Sequence, residues 1–152
     1  VVSEARRIHL LEYPGQPRDK RGRFAGGKGA ELYIEKLGKI NSAVLRHWPR
    51  AITKRVVLTG ERRNHILRRH PEMAEHVPSL RGIIQAPNEV HKNAKDRQMA
   101  IFYQRKGNKY LRAAVWISDM KGKQNSVHSF RWAEISEVEA GRKAGRVVWV
   151  KK

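Results

Sequence analysis

The chain has 152 residues, 39% hydrophobic and 31% charged, with no cysteine and a formal net charge of +19. That balance fits one globular domain with extensions and excludes a fibre, a disulfide-stapled scaffold and a thiolate metal site. A field so positive favours polyanionic partners, nucleic acid first, because each phosphate contact releases condensed counterions.

In chain order, Val1-Val2-Ser3-Glu4 is not the charged start of a leader, and no apolar run reaches the ~18 residues of a spanning helix. No membrane insertion is expected. Residues 1–30 form a basic extension whose part from Tyr13 to Ala30 is rich in Gly, Pro and cations; Pro14-Gly15 and Gly26-Gly27 break regular structure, while Arg18, Lys20, Arg21 and Arg23 keep it solvated or hold RNA. Between Glu31 and Trp48, apolar Leu32, Ile34, Leu37, Ile40, Val44 and Leu45 recur at two to four residues. That spacing predicts an amphipathic helix in a segment 31–54 that packs on the main domain, 55–152, with Gly38 weakening it and Trp48-Pro49 ending it.

Thr59-Gly-Glu-Arg-Arg-Asn-His-Ile-Leu-Arg-Arg-His-Pro71 is the most informative stretch. Thr59 suits an N-cap, Glu61 the positive first turn, and Pro71 turns His70 away from helical geometry, so a helix is expected over Gly60 to Arg69. At about 100° per residue, Arg62, His65 and Arg69 share one stripe, with Ile66, Leu67 and His70 toward the neighbouring side. Arginine offers a fixed fork for phosphate, and histidine exchanges protons near neutrality. A basic, solvated helix face with His70 packed as a polar core residue is the plainer alternative.

A second helix is expected over about Pro78 to Gln85, ended by Ala86-Pro87-Asn88, and Glu89-Val90-His91 begins a strand. The period then changes to two. Strands are expected over Gln98–Gln104, Lys109–Ser118 and Ser126–Trp132, with a fourth over Arg146–Val150 and a turn at Lys106-Gly107-Asn108-Lys109. In the second of these, Leu111, Ala113, Val115 and Ile117 share one face, and Tyr110, Arg112, Ala114 and Trp116 the other. The expected class is α+β, with N-terminal helices packed on one face of a twisted antiparallel sheet of about four strands and the opposite face partly open to RNA.

Asp96, Asp119 and Glu89 stand apart in sequence, and His65 with His70 lacks the Glu of a zinc-protease helix. What remains suits metal-free RNA cleavage, with no cofactor, in which the 2′-hydroxyl attacks the adjacent phosphorus. His65 and His70 would exchange protons with the 2′-oxygen and the leaving 5′-oxygen, and Arg112 and Arg131 would neutralise the phosphorane. Lys95 and Lys109 would steer the backbone, and Tyr110 is offered to a ligand beside Arg112. In Asn125-Ser-Val-His-Ser-Phe-Arg-Trp132, alternation aims Ser129 and Arg131 at one phosphate, with His128 on the other face as a reserve acid. A small strand residue beside a solvated edge charge is the plainer view of Ser129 and Arg131.

The pattern Leu58-Thr59, His65-Ile66-Leu67, Arg69-His70-Pro71-Glu72-Met73, Pro87-Asn88-Glu89-Val90, Lys109-Tyr110-Leu111 and Val127-His-Ser-Phe-Arg131 resembles the phage-associated nuclease domains of the barnase, EndoU, RNase-colicin and RelE-like superfamily. The likeness covers about residues 55–150. The stretch Pro17-Arg-Asp-Lys-Arg-Gly-Arg-Phe-Ala25 is similar to linkers of phage head-morphogenesis and minor capsid proteins. The resemblance implies a metal-independent endoribonuclease toxin that often targets tRNA, with His65, His70, Ser129 and Arg131 at its site; Ser129 stands where Thr is more usual. It further implies a monomer acting in a bacterial cytoplasm after delivery by a phage particle or effector, and a dedicated inhibitor, which the +19 charge predicts to be acidic. A non-catalytic nucleic-acid-binding module and a phage structural accessory domain are the competing expectations.

Overall fold

The computed structural model describes residues 34–152, so the expected extension over residues 1–30 lies outside the described residues. One sheet of seven strands runs β1-β2-β6-β5-β4-β3-β7. The strands are β1 (Ile34–Lys39), β2 (Arg55–Thr59), β3 (Glu89–Lys92), β4 (Met99–Lys106), β5 (Lys109–Trp116), β6 (Asn125–Glu134) and β7 (Val147–Val150). The helices are α1 (Ser42–Leu45), α2 (Gly60–Arg69), α3 (Leu80–Gln85) and α4 (Ile135–Lys143), with a 3-10 segment over Pro71–Ser79.

The α+β class stands, but the expected antiparallel sheet of about four strands is corrected to seven strands in a mixed sheet, because β2 and β6 pair in parallel at Val56↔Asn125 and Val57↔Ser126. The strands beyond those four are β1, β2 and β3, of which β1 comes from the segment 31–54. The helix expected within 31–54 is replaced by β1 and the four-residue α1. Gly38 explains why: its φ of +98° lies outside the right-handed helical region, and the β1–β2 register shifts there. Leu37, Ile40, Val44 and Trp48 are nevertheless all in the main core. Their spacing identified what is buried without identifying the backbone that buries it.

Helix α2 spans Gly60–Arg69 as its punctuation predicted: the Arg62 amide donates to Thr59 Oγ1 at 3.2 Å, and His70 leaves helical geometry at φ −135° before Pro71. Ile66 and Leu67 bury against the sheet with Met73, Val77, Leu80, Ile83 and Ile84 from the segments that follow. Leu111, Ala113, Val115 and Ile117 of β5 face this core, as their alternation predicts. Gly107, at φ +65°, makes the tight β4–β5 turn between Lys106 and Lys109.

The other face carries a smaller cluster in which Ile101, Tyr103, Tyr110, Ala114 and Ala133 pack with Val138 and Ile135 of α4. Helices therefore lie on both faces of the sheet, and the expectation of helices on one face alone is corrected. Helix α4 covers this second face at one end. Its Ile135 and Val138 share a helical face, and packing them over Tyr103 and Tyr110 removes apolar surface from water.

Candidate functional site

The site lies where β6 outruns its partner. Strand β2 pairs with β6 only at Asn125 and Ser126. Thr59 then caps α2, which contacts β6 beyond that pairing. The junction is pinned by buried Asn125, which accepts from the Ser118 amide and donates to the Thr53 carbonyl, each at 2.8 Å. Further along, Arg62 of α2 donates from Nη2 to the His128 carbonyl at 2.6 Å.

A β-bulge sets the orientation of β6. Ala114 pairs with Ser129 but Val115 pairs with Val127, which leaves His128 as the extra residue. Val127 and Phe130 both enter the main core, although simple alternation would separate them. His128 and Ser129 both line one cleft. The strict alternation that set His128 apart from Ser129 and Arg131 is thereby corrected.

That cleft, of about 550 Å³, is lined by Arg62, His65 and Arg69 of α2, His70 just past its end, Arg112 of β5, and His128, Ser129 and Arg131 of β6, with Asn93, Met99, Ala114, Ile66 and Phe130 completing its walls. Nine polar side chains, Asn93 included, thus converge, and no carboxylate is among the described residues lining the cleft. Arg112 Nη1 lies 3.4 Å from Ser129 Oγ. His70 Nδ1 is 3.5 Å from Glu72 Oε1, close enough for the carboxylate to orient the ring.

Burial first, and then the charges of Arg62, Arg69 and Arg68, hold the His65 imidazole below its ordinary pKa. Burial also lowers His128, with Arg62 and His65 adding to the effect. Both rings are therefore neutral at pH 7. A neutral imidazole surrounded by fixed cations can accept a proton from a group that the same cations hold in place.

Three predicted residues lie elsewhere. Lys109, five residues before Ala114 and so about 16 Å along β5, faces Glu134 at 3.9 Å. Tyr110 is buried under α4 with the Arg105 guanidinium 5.9 Å from its ring. Lys95 lines not this cleft but an adjoining cavity of about 390 Å³, which shares Asn93, Arg112 and Arg131 with it.

Glu137 of α4 was not anticipated from the sequence. Its carboxylate accepts from Arg131 Nη2 at 3.0 Å and from the Tyr103 hydroxyl at 3.3 Å, and it stands 3.3 Å from Arg112 Nε. It thereby fixes both cleft arginines from the α4 side. The Ile135/Val138 spacing and an acidic residue in the first turn were the available signals of this helix. Glu89 does not stand apart in space: it accepts from Arg142 Nε at 3.1 Å and lies 2.6 Å from His91 Nε2. Burial raises the Glu89 carboxyl, but the hydrogen bonds from Arg142 and His91 outweigh it and hold the group ionised below its usual range.

No group of three or more His, Cys, Asp or Glu among the described residues is arranged to hold a metal ion. No helix among them is long and apolar enough to cross a membrane. Neither family models, nor curated proteins, nor solved structures match this chain.

Proposed function

We propose that this domain is a metal-independent endoribonuclease that cuts RNA by attack of the 2′-hydroxyl on the adjacent phosphorus, leaving a 2′,3′-cyclic phosphate and a free 5′-hydroxyl. The observation that carries this is the convergence of His65, His70 and His128 with Arg62, Arg69, Arg112 and Arg131 around one cleft. Arg112 and Arg131, held by Glu137, take the non-bridging phosphate oxygens, where negative charge grows in the transition state. Ser129 donates its hydroxyl to the same phosphate.

His65, neutral at pH 7 for the reasons given, takes the proton from the 2′-hydroxyl. His70, oriented by Glu72, returns a proton to the 5′-oxygen as the P–O bond breaks, and His128 lies at the same cleft as the alternative donor. Arg62 and Arg69 extend the cationic wall along the flanking backbone. The +19 charge speeds encounter with RNA, and an acidic inhibitor of the kind that protects a toxin-producing cell would exploit the same field, with association slowing as salt is added.

The test is incubation of the purified chain with single-stranded RNA and tRNA in excess EDTA. Cleavage with cyclic-phosphate ends is expected. RNA that is bound and retarded but left intact would replace the nuclease with the non-catalytic binding module, the second reading that the charge alone supports.

A further inference from the structure

Beyond the catalytic cleft, on its His128 side, the second face of the sheet carries an open pocket of about 640 Å³. Its floor crosses three strands, because Ser126 of β6 pairs with Val57 of β2 on one side and Trp116 of β5 on the other. Val57 is buried, whereas Trp116 is only half-buried and offers its ring to the pocket. Ile34 and Met120, 57% and 53% exposed, form apolar walls, while Gln124 and Lys123 set an amide and a cation at the rim. Trp116, Ile34 and Met120 thus leave apolar surface in water that a flat, partly polar ligand would cover.

His128 belongs both to this pocket and to the catalytic cleft, and its ring lies 6.4 Å from the Trp116 indole with the planes 31° apart. An aromatic platform therefore adjoins the phosphate-binding arginines. Successive bases and phosphates of a single strand alternate over comparably short distances, and aromatic faces beside cations hold such strands.

We infer that this pocket is a nucleobase subsite in which an unpaired base of the substrate stacks on Trp116, with its polar edge toward Gln124 and Ser126, while the neighbouring phosphate lies in the cleft. This rests on the proposed RNA substrate and deepens it. A base can enter only when unstacked from a helix, so the subsite selects single-stranded or looped nucleic acid over duplex. Trp116 acts here as a specificity-determining residue, and Lys123 meets the backbone at the rim.

The experiment uses the full chain and a single-stranded oligodeoxynucleotide, which lacks the 2′-hydroxyl and is not cut, compared with its duplex at fixed salt. Saturation with the single strand should quench part of the tryptophan emission, and that part should be missing in Trp116→Leu. Single-strand affinity should fall about five- to a hundredfold in Trp116→Leu, the usual loss for one stacked base, with duplex affinity unchanged and Trp116→Phe close to parental. Should Trp116→Leu not fold, Trp116→Phe, which keeps an aromatic face but removes the indole, should lose that part of the quench while still binding the single strand, and Gln124→Ala should alter base preference across homopolymer single strands. An unchanged ratio of single-strand to duplex affinity in folded Trp116→Leu would overturn the subsite. If Leu is unusable, the absence of any emission change in the parental protein would do so. Binding of an uncleavable strand is independent of turnover: cleavage in EDTA without the stacking effect removes the subsite and keeps the nuclease, and the reverse removes the nuclease and keeps the subsite.

Discussion

His65 and His91 carry the same ring in adjoining parts of the molecule and have opposite surroundings. His91 is buried between Glu89 and the Tyr103 ring, 4.8 Å away, and a Cβ added at Gly141 of α4 would collide with it. Its polar demand is met inside the protein. His65 opens on a cleft lined by arginines, with no carboxylate among the described lining residues. An internally paired histidine holds architecture; one set among cations is, on the proposed function, placed to meet an anionic substrate.

The largest expected effect lies on the cleft side. His65→Ala should lower turnover of RNA by about two to four orders of magnitude, with RNA affinity little changed and the thermal midpoint near the parental value. Single-turnover kinetics on the folded variant measure it. Parental rates in both His65→Ala and His70→Ala would move the proton chemistry to His128.

His91→Ala should show the reverse pattern. The change leaves a cavity under α4 and removes one of two partners of buried Glu89, at a cost of about 2–4 kcal/mol read as a lower denaturant midpoint. Turnover per folded molecule should stay within about threefold, since catalysis is read from the folded fraction. A stability-neutral His91→Ala would dissolve the contrast between the two histidines.

The smallest effect is the pH dependence of stability. His65, His91 and His128 are all held below their ordinary pKa, burial being the first cause in each. Between the folded and unfolded values the unfolded chain binds more protons. This contribution is therefore complete above about pH 6.5 and is lost progressively as pH falls through that value toward the folded pKa values. Chemical denaturation between pH 7.5 and 5 should show stability declining with acidity, and the slope should flatten in His91→Ala. For catalysis, the acid limb of kcat/KM should lie below the pKa of a free histidine, because His65 remains a base there.

The sequence by itself determined the local and periodic features. Thr59 and Pro71 bounded α2, the two-residue period of β5 assigned its faces, and Gly107 marked a hairpin. Arg62, His65 and Arg69 were placed on one helix face by spacing alone, since the helical repeat is a property of the backbone. Only the tertiary structure decided the rest. Whether residues 34–39 paired as a strand depended on β2 being available beside them, and a parallel pairing between residues about 70 apart leaves no local trace. The bulge that turns His128 toward the cleft is a register event between β5 and β6, and Glu137 reaches the arginines because α4 packs across the far face. Such convergence depends on relative placement in space, which spacing along one chain does not encode until the sheet has closed.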